Sequence, residues 1–235
     1  MQKYIDNLTK ILIENNVCNS HGINHAIIVK SHAEKALQYE TSLNLLEQEA
    51  VILASLLHDA DDRKFFPNNN NYENTRNILS DKPEDFIDLV VQMIKLVSAS
   101  VNGDNIPAEI IANKQWMLIP RYADRLEAIG IIGIKRCYEY NSTKGDPLYL
   151  DTTPKIYDDL KIIEYANNKY KTYQGNSLSM IDHFYDKLIG ICNFPIENQY
   201  LKLEAEQRKQ PLIDFIKYFS QNGKINMEII KLNSL

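Results

Sequence analysis

The chain has 235 residues, a formal net charge of −5, 44% hydrophobic residues and 24% charged residues. That suits a soluble protein with a sizeable core. The acidic balance argues against a surface that coats nucleic acid, which needs a basic face. It leaves open a small anionic substrate, because a local group of cations can reverse the field.

The N-terminal MQKYIDNLTK mixes charges from the start and has no apolar h-region, so no signal peptide is expected. No run of about 18 apolar residues points to a membrane span. Cys18, Cys137 and Cys192 are scattered, as expected of reduced thiols in a cytoplasmic protein rather than a disulfide framework.

Apolar periodicity predicts helices nearly throughout. The first runs over residues 3–15. The second, 24–39, carries Ile28, Val29, Ala33 and Ala36 on one side. A third, 44–58, is dense in Leu and Ala. PNNNNYEN reads as a polar loop. A helix over 84–99 follows, with Pro83 suited to a first turn. VNGDNIP is a turn-rich break. Residues 115–139 read as one long, largely buried helix. NSTKGDPLYLDTTP is the longest irregular stretch, bracketed by Pro147 and Pro154. Further helices are expected at roughly 155–172, 177–192, 196–220 and 225–232. No strand signal is strong enough to build a sheet. The expected fold is all-α, a single helical bundle over 1–235. Its core spans about 20–140, and a C-terminal helical extension from about 155–235 packs on it.

Three of these helices each point an ionisable group inward. His25 shares a stripe with Ile28, Val29, His32 and Ala36 on a 3.6 period. His58, with Asp59 beside it, follows the stripe of Val51 and Ala54. Asp124 shares a stripe with Ala128 and Ile131. An isolated buried carboxylate is costly unless it is paired or binds a metal. Two imidazoles and two carboxylates would satisfy one another through one divalent cation. Nitrogen with oxygen donors suits Mn, Fe, Co, Zn or Mg rather than a thiolate-loving metal.

The pattern His25…His58-Asp59…Asp124 resembles the H…HD…D signature of HD-domain phosphohydrolases. HGINHAIIV, LLHDADDRKF, ADRLEAIGIIGIKR, GDPLYLDTTP and DHFYDKL resemble, in order, motifs of a bacterial-type branch of that superfamily. The likeness spans roughly residues 20–190, and the ADRLEAIG block is its most specific part. The chain departs from the branch in having Glu127 for Asp, Asp182 for Asn, and Arg121 and Tyr122 before ADRLEAIG. None of these is a ligand position.

The resemblance implies a helical HD bundle with His25, His58, Asp59 and Asp124 as ligands of one divalent ion. It implies that Asp62 positions or deprotonates the attacking water. The branch is associated with nucleotides, so the first expectation is hydrolysis of nucleoside triphosphates to monophosphate and pyrophosphate. The alternatives are a nucleotide 5′-phosphomonoesterase, an alarmone-type pyrophosphohydrolase and, from another class, an inactive ligand-binding HD protein. The expected partner is a small phosphorylated molecule, with neither nucleic acid nor membrane. Lys64, Arg125 and Lys135 are candidate phosphate contacts, Arg125 alternatively pairing with Glu127 or Asp59. His21, four residues before His25, is a candidate for substrate or a second metal. His32 reads as core or support. Phe65, Phe66 and Tyr122 are candidates to stack a base. His183 in DHFYDKL either lines a cleft with Tyr185 and Lys187 or locks the C-terminal helices.

Overall fold

The computed structural model describes residues 1–97 and 105–231. The described residues are helical and contain no strand. The VNGDNIP break and the end of the helix expected over 84–99 fall partly outside them, at residues 98–104. The chain divides into two compact units: Met1–Asp124 with Ile196–Leu201, and Arg125–Pro195 with Lys202–Leu235.

The first unit begins with α1 (Gln2–Glu14), which buries Tyr4, Leu8 and Leu12 at four-residue spacing. α2 (Ile23–Leu37) buries His25, Ala26, Val29, His32, Ala33 and Ala36. Ile28 is exposed, because it lies one residue outside that stripe. α3 (Leu45–Leu57) opens on a capping box: Asn44 Oδ1 accepts from the Glu47 amide, and Glu47 Oε2 accepts from the Asn44 amide. Every residue from Leu53 to Leu57 is buried, so α3 forms the centre of the unit, packed against α2 and against α5 (Glu84–Val97).

Between α3 and α5 the structure holds a short helix, α4 (Glu73–Ile78), at the end of the stretch read as polar loop. It forms because a distant carboxylate satisfies its first amides. Asp61 accepts from the Asn74 and Thr75 backbone N–H groups, both at 2.9 Å. It also accepts from Thr75 Oγ1 at 2.7 Å and Asn69 Nδ2 at 2.8 Å. Four donors account for this buried charge.

After α6 (Ala108–Asn113), the expected helix over 115–139 is three pieces: a 3₁₀ turn, α7 (Ile119–Glu127) and α8 (Gly130–Lys144). Arg121 is fully buried, and its Nη1 donates to the Leu96 carbonyl at the C-terminal end of α5, 2.7 Å away. The break after Glu127 depends on two glycines. Gly130 has φ +71°, and a Cβ on Gly133 would lie 2.3 Å from the Ala128 carbonyl oxygen.

In the second unit, Arg208 Nη1 reaches the Leu126 carbonyl at 2.6 Å and Glu127 Oε1 at 3.1 Å, holding that break in place. α8 ends at Gly145, φ +72°. α9 (Asp159–Tyr170) is capped by Asp158. The helix expected over 177–192 is again in pieces: α10 (Met180–His183), a π turn over Phe184–Leu188 and a 3₁₀ turn. The DHFYDKL motif holds the irregular stretch before α9. Asp182 accepts from Ser179 and Thr153 hydroxyls, and the Tyr185 hydroxyl donates to the Pro154 carbonyl. α11 (Gln199–Asn222) and α12 (Met227–Lys231) complete the chain as described.

Candidate metal centre

His25 sits in the first turns of α2, and His58 is the residue that follows α3. Asp59 begins the turn after His58, and Asp124 lies in the middle of α7. All four belong to the first unit. Each imidazole Nε2 faces both carboxylates. From His25 it is 3.2 Å to Asp124 Oδ1 and 3.9 Å to Asp59 Oδ2. From His58 it is 3.5 Å and 3.3 Å to the same two atoms. Ligand atoms of His25, His58 and Asp124 all lie within 4.8 Å of one another.

The imidazoles form the floor and the carboxylates the mouth. Side-chain exposure is 5% for His25 and 1% for His58, against 20% for Asp59 and 30% for Asp124. The cluster is therefore open to solvent on the carboxylate side.

The donor set fits a divalent cation. His58 Nδ1 lies 2.9 Å from the Ser55 carbonyl, which can only accept. Nδ1 therefore carries the proton, and in the neutral ring Nε2 presents its lone pair to the cluster. The Nε2 atoms of both His25 and His58 are buried and make no hydrogen bond of acceptable geometry. Buried polar atoms are normally paired. Two buried imidazole nitrogens facing two carboxylates fit a cation, and His25, His58 and Asp124 form the tightest group among them.

Without an ion, charge does the holding. Burial alone would lower the His58 pKa, but the Asp59 and Asp124 carboxylates outweigh it and hold it well above its ordinary value. Burial would raise Asp124, but His25 and His58 outweigh it and hold the carboxyl well below the usual range. Asp59 is lowered in the same way, against burial, chiefly by His58.

The remaining candidates are spread over several places. Asp62, Lys64 and Phe65 follow the cluster on one turn: the Lys64 amide donates to Asp62 Oδ1 at 2.9 Å, and the Phe65 amide donates to the Asp62 carbonyl at 2.9 Å. His21 is beside His25, with ring centroids 6.4 Å apart. Its Nδ1 lies 3.0 Å from Ser20 Oγ. His32 is buried deeper on α2 and pairs through Nδ1 with the Tyr200 hydroxyl at 2.6 Å, which makes it a packing residue of this unit. Phe66 and Tyr122 are buried core. Arg125 and Lys135 are buried side chains of the second unit. The break at Ala128–Ile129 removes the continuous helix on which Lys135 was placed by spacing, and it leaves Ile131, once on the Asp124 stripe, exposed.

Sequence reading missed Asp61. The signal was present: a second carboxylate after an apolar helix needs partners, and the Asn- and Thr-containing segment 69–75 supplies them.

No family model matches the chain. The uncharacterized protein L803 of Acanthamoeba polyphaga mimivirus is 38% identical over 237 residues, spanning 89% of this chain and 94% of that one. Solved structures match at lower identity. An HD-superfamily hydrolase from Bacillus thuringiensis has a TM-score of 0.62 at 22% identity, covering 94% of this chain and 95% of its own. A Lactobacillus plantarum protein gives 0.64 at 19%, with the same two coverages. YpgQ of Bacillus subtilis gives 0.60 at 19%, covering 93% of this chain and 96% of its own. The chain belongs to the same family as the mimivirus protein and carries the HD-domain fold.

Proposed function

We propose that the protein is a metal-dependent phosphohydrolase that cleaves nucleoside triphosphates to monophosphate and pyrophosphate. The observation that carries the first part is the pair of orphaned imidazole nitrogens facing two carboxylates at the end of α3. The substrate rests on the resemblance of the motifs to the nucleotide-directed HD branch.

His25, His58 and Asp124 would hold one divalent ion, with Asp59 completing the set. Such an ion polarises a phosphoryl oxygen and lowers the pKa of a bound water. Asp62, on the turn after the ligands, takes the role of orienting the water and accepting its proton. Lys64, on the same turn, is assigned to the charge of the outlying phosphates.

Hydrolysis in isotopically heavy water tests the product. Label in the monophosphate with unlabelled pyrophosphate is expected. Orthophosphate release from a monophosphate, with triphosphates inert, would replace this reading with a phosphomonoesterase.

A further inference from the structure

The turn that follows the His/Asp cluster is held by several hydrogen bonds and presents one aromatic ring outward. Asp62 accepts three backbone N–H groups: Lys64 on its carboxylate, Phe65 and Phe66 on its carbonyl. Asp61, one residue earlier, is fixed to the start of α4 by three hydrogen bonds and to Asn69 by a fourth. This geometry sends the two phenylalanines in different directions. Phe66 is buried in the core, and Phe65 stays half exposed.

Phe65 meets His21, with ring centroids 5.2 Å apart and planes tilted by 60°. His21 in turn meets His25 edge-on. The Lys64 ammonium lies 5.2 Å from the Phe65 ring centroid. A half-exposed imidazole and a half-exposed phenyl thus stand together beside the metal ligands, with an exposed cation over one ring. All lie within the first unit. An apolar ring left open to water next to a polar centre makes sense when part of a ligand covers it.

We propose that Phe65, with His21 at its edge, forms the wall on which the planar base of the substrate stacks, and that the base displaces the Lys64 ammonium toward the phosphates. Base–aryl stacking is stronger than an exposed cation–π contact, so the exchange is favourable. Lys64 gains a phosphate in place of a ring. A polyphosphate or an aliphatic phosphate would leave the wall uncovered. The proposal rests on the phosphohydrolase reading and adds to it the residues that select a nucleotide.

The test is calorimetric binding to the full-length protein, supplied with a divalent ion. The ligands are a non-hydrolysable nucleoside triphosphate and inorganic tripolyphosphate. The wild type is expected to bind the nucleotide roughly tenfold more tightly than tripolyphosphate, within the range of one stacked base. Phe65→Leu should shrink that margin to about twofold, and Phe65→Tyr should keep it. Intermolecular nuclear Overhauser effects from the base protons to a phenylalanine ring, in the wild type, give a second readout that needs no variant. Binding of both ligands without a margin, or a margin unchanged in Phe65→Leu, overturns the wall and leaves the phosphohydrolase reading standing. Binding of neither ligand overturns both.

Discussion

His58 Nδ1 lies 2.9 Å from the carbonyl oxygen of Ser55, in the last turn of α3. That single bond sets which nitrogen of His58 faces the carboxylates. Because the helix ends at Leu57, its last carbonyls have no further amide to meet, and the imidazole takes one of them. The local end of a helix therefore leaves the His58 Nε2 lone pair facing the cluster.

Removing Asp124 should remove the ion. Asp124→Asn keeps the shape and loses the charge. It is expected to weaken divalent-ion binding by at least about 100-fold, the upper end for outer-shell partners of a metal site. Equilibrium dialysis with manganese measures it. Binding within about threefold of wild type would place the ion elsewhere.

Asp62 should separate from the ligands. Asp62→Asn is expected to retain its ion and to lose about 10²–10⁴-fold in kcat, the usual contribution of a general acid or base. Elemental analysis alongside steady-state kinetics tests both halves. A variant without its ion would make Asp62 a ligand or a ligand's support.

The metal-free protein should have a stability optimum between two pKa values. The His58 pKa is raised above its ordinary 6.5, so its contribution is complete below that pH and is lost as pH rises through the raised value. Asp124 is lowered below its ordinary 3.8, so its contribution is present above that pH and is lost as pH falls through the lowered value. Thermal unfolding of the stripped protein should therefore give a lower midpoint at pH 9 than at pH 6. Added metal should reverse the trend, because the ion displaces the proton on His58 and binds better as pH rises. A stripped protein that gains stability from pH 6 to pH 9 would contradict the charge assignment.

The break between α7 and α8 gives a stability test away from the chemistry. A Cβ at Gly133 would fall 2.3 Å from the Ala128 carbonyl oxygen, whereas one at Gly145 meets nothing within 4 Å and suffers only its positive φ. Gly133→Ala should cost about 3 kcal/mol. Gly145→Ala should cost about 1 kcal/mol. At about 3 °C per kcal/mol for a chain of this size, calorimetry resolves the two. Equal costs would mean that the close approach at Gly133 is relaxed in solution.

The convergence of His25, His58, Asp59 and Asp124 was legible in the sequence because each stands at the inward face or the end of an apolar helix, where a charge has no cheap local partner. Helix content was legible for the same periodic reason. The breaks were not. The stretch 115–139 is apolar enough to read as one helix, and only the conformation of Gly130 and the contact at Gly133 divide it. α4 was hidden because its cap, Asp61, lies more than ten residues upstream in a different element. The split of 177–192 around the π turn has the same character: Asp182 and Tyr185 are committed to partners some thirty residues earlier, which no local window contains.

On the proposed reading, His25, His58, Asp59 and Asp124 hold an ion on which phosphate hydrolysis depends. The most direct measurement strips the purified protein with chelator and titrates manganese back. Bound ion and hydrolysis of a nucleoside triphosphate are followed in the same samples. Both are expected to saturate together at about one ion per chain, and His58→Gln should abolish both. Hydrolysis that persists at full strength in the stripped protein, or an ion that binds without restoring it, would contradict the account.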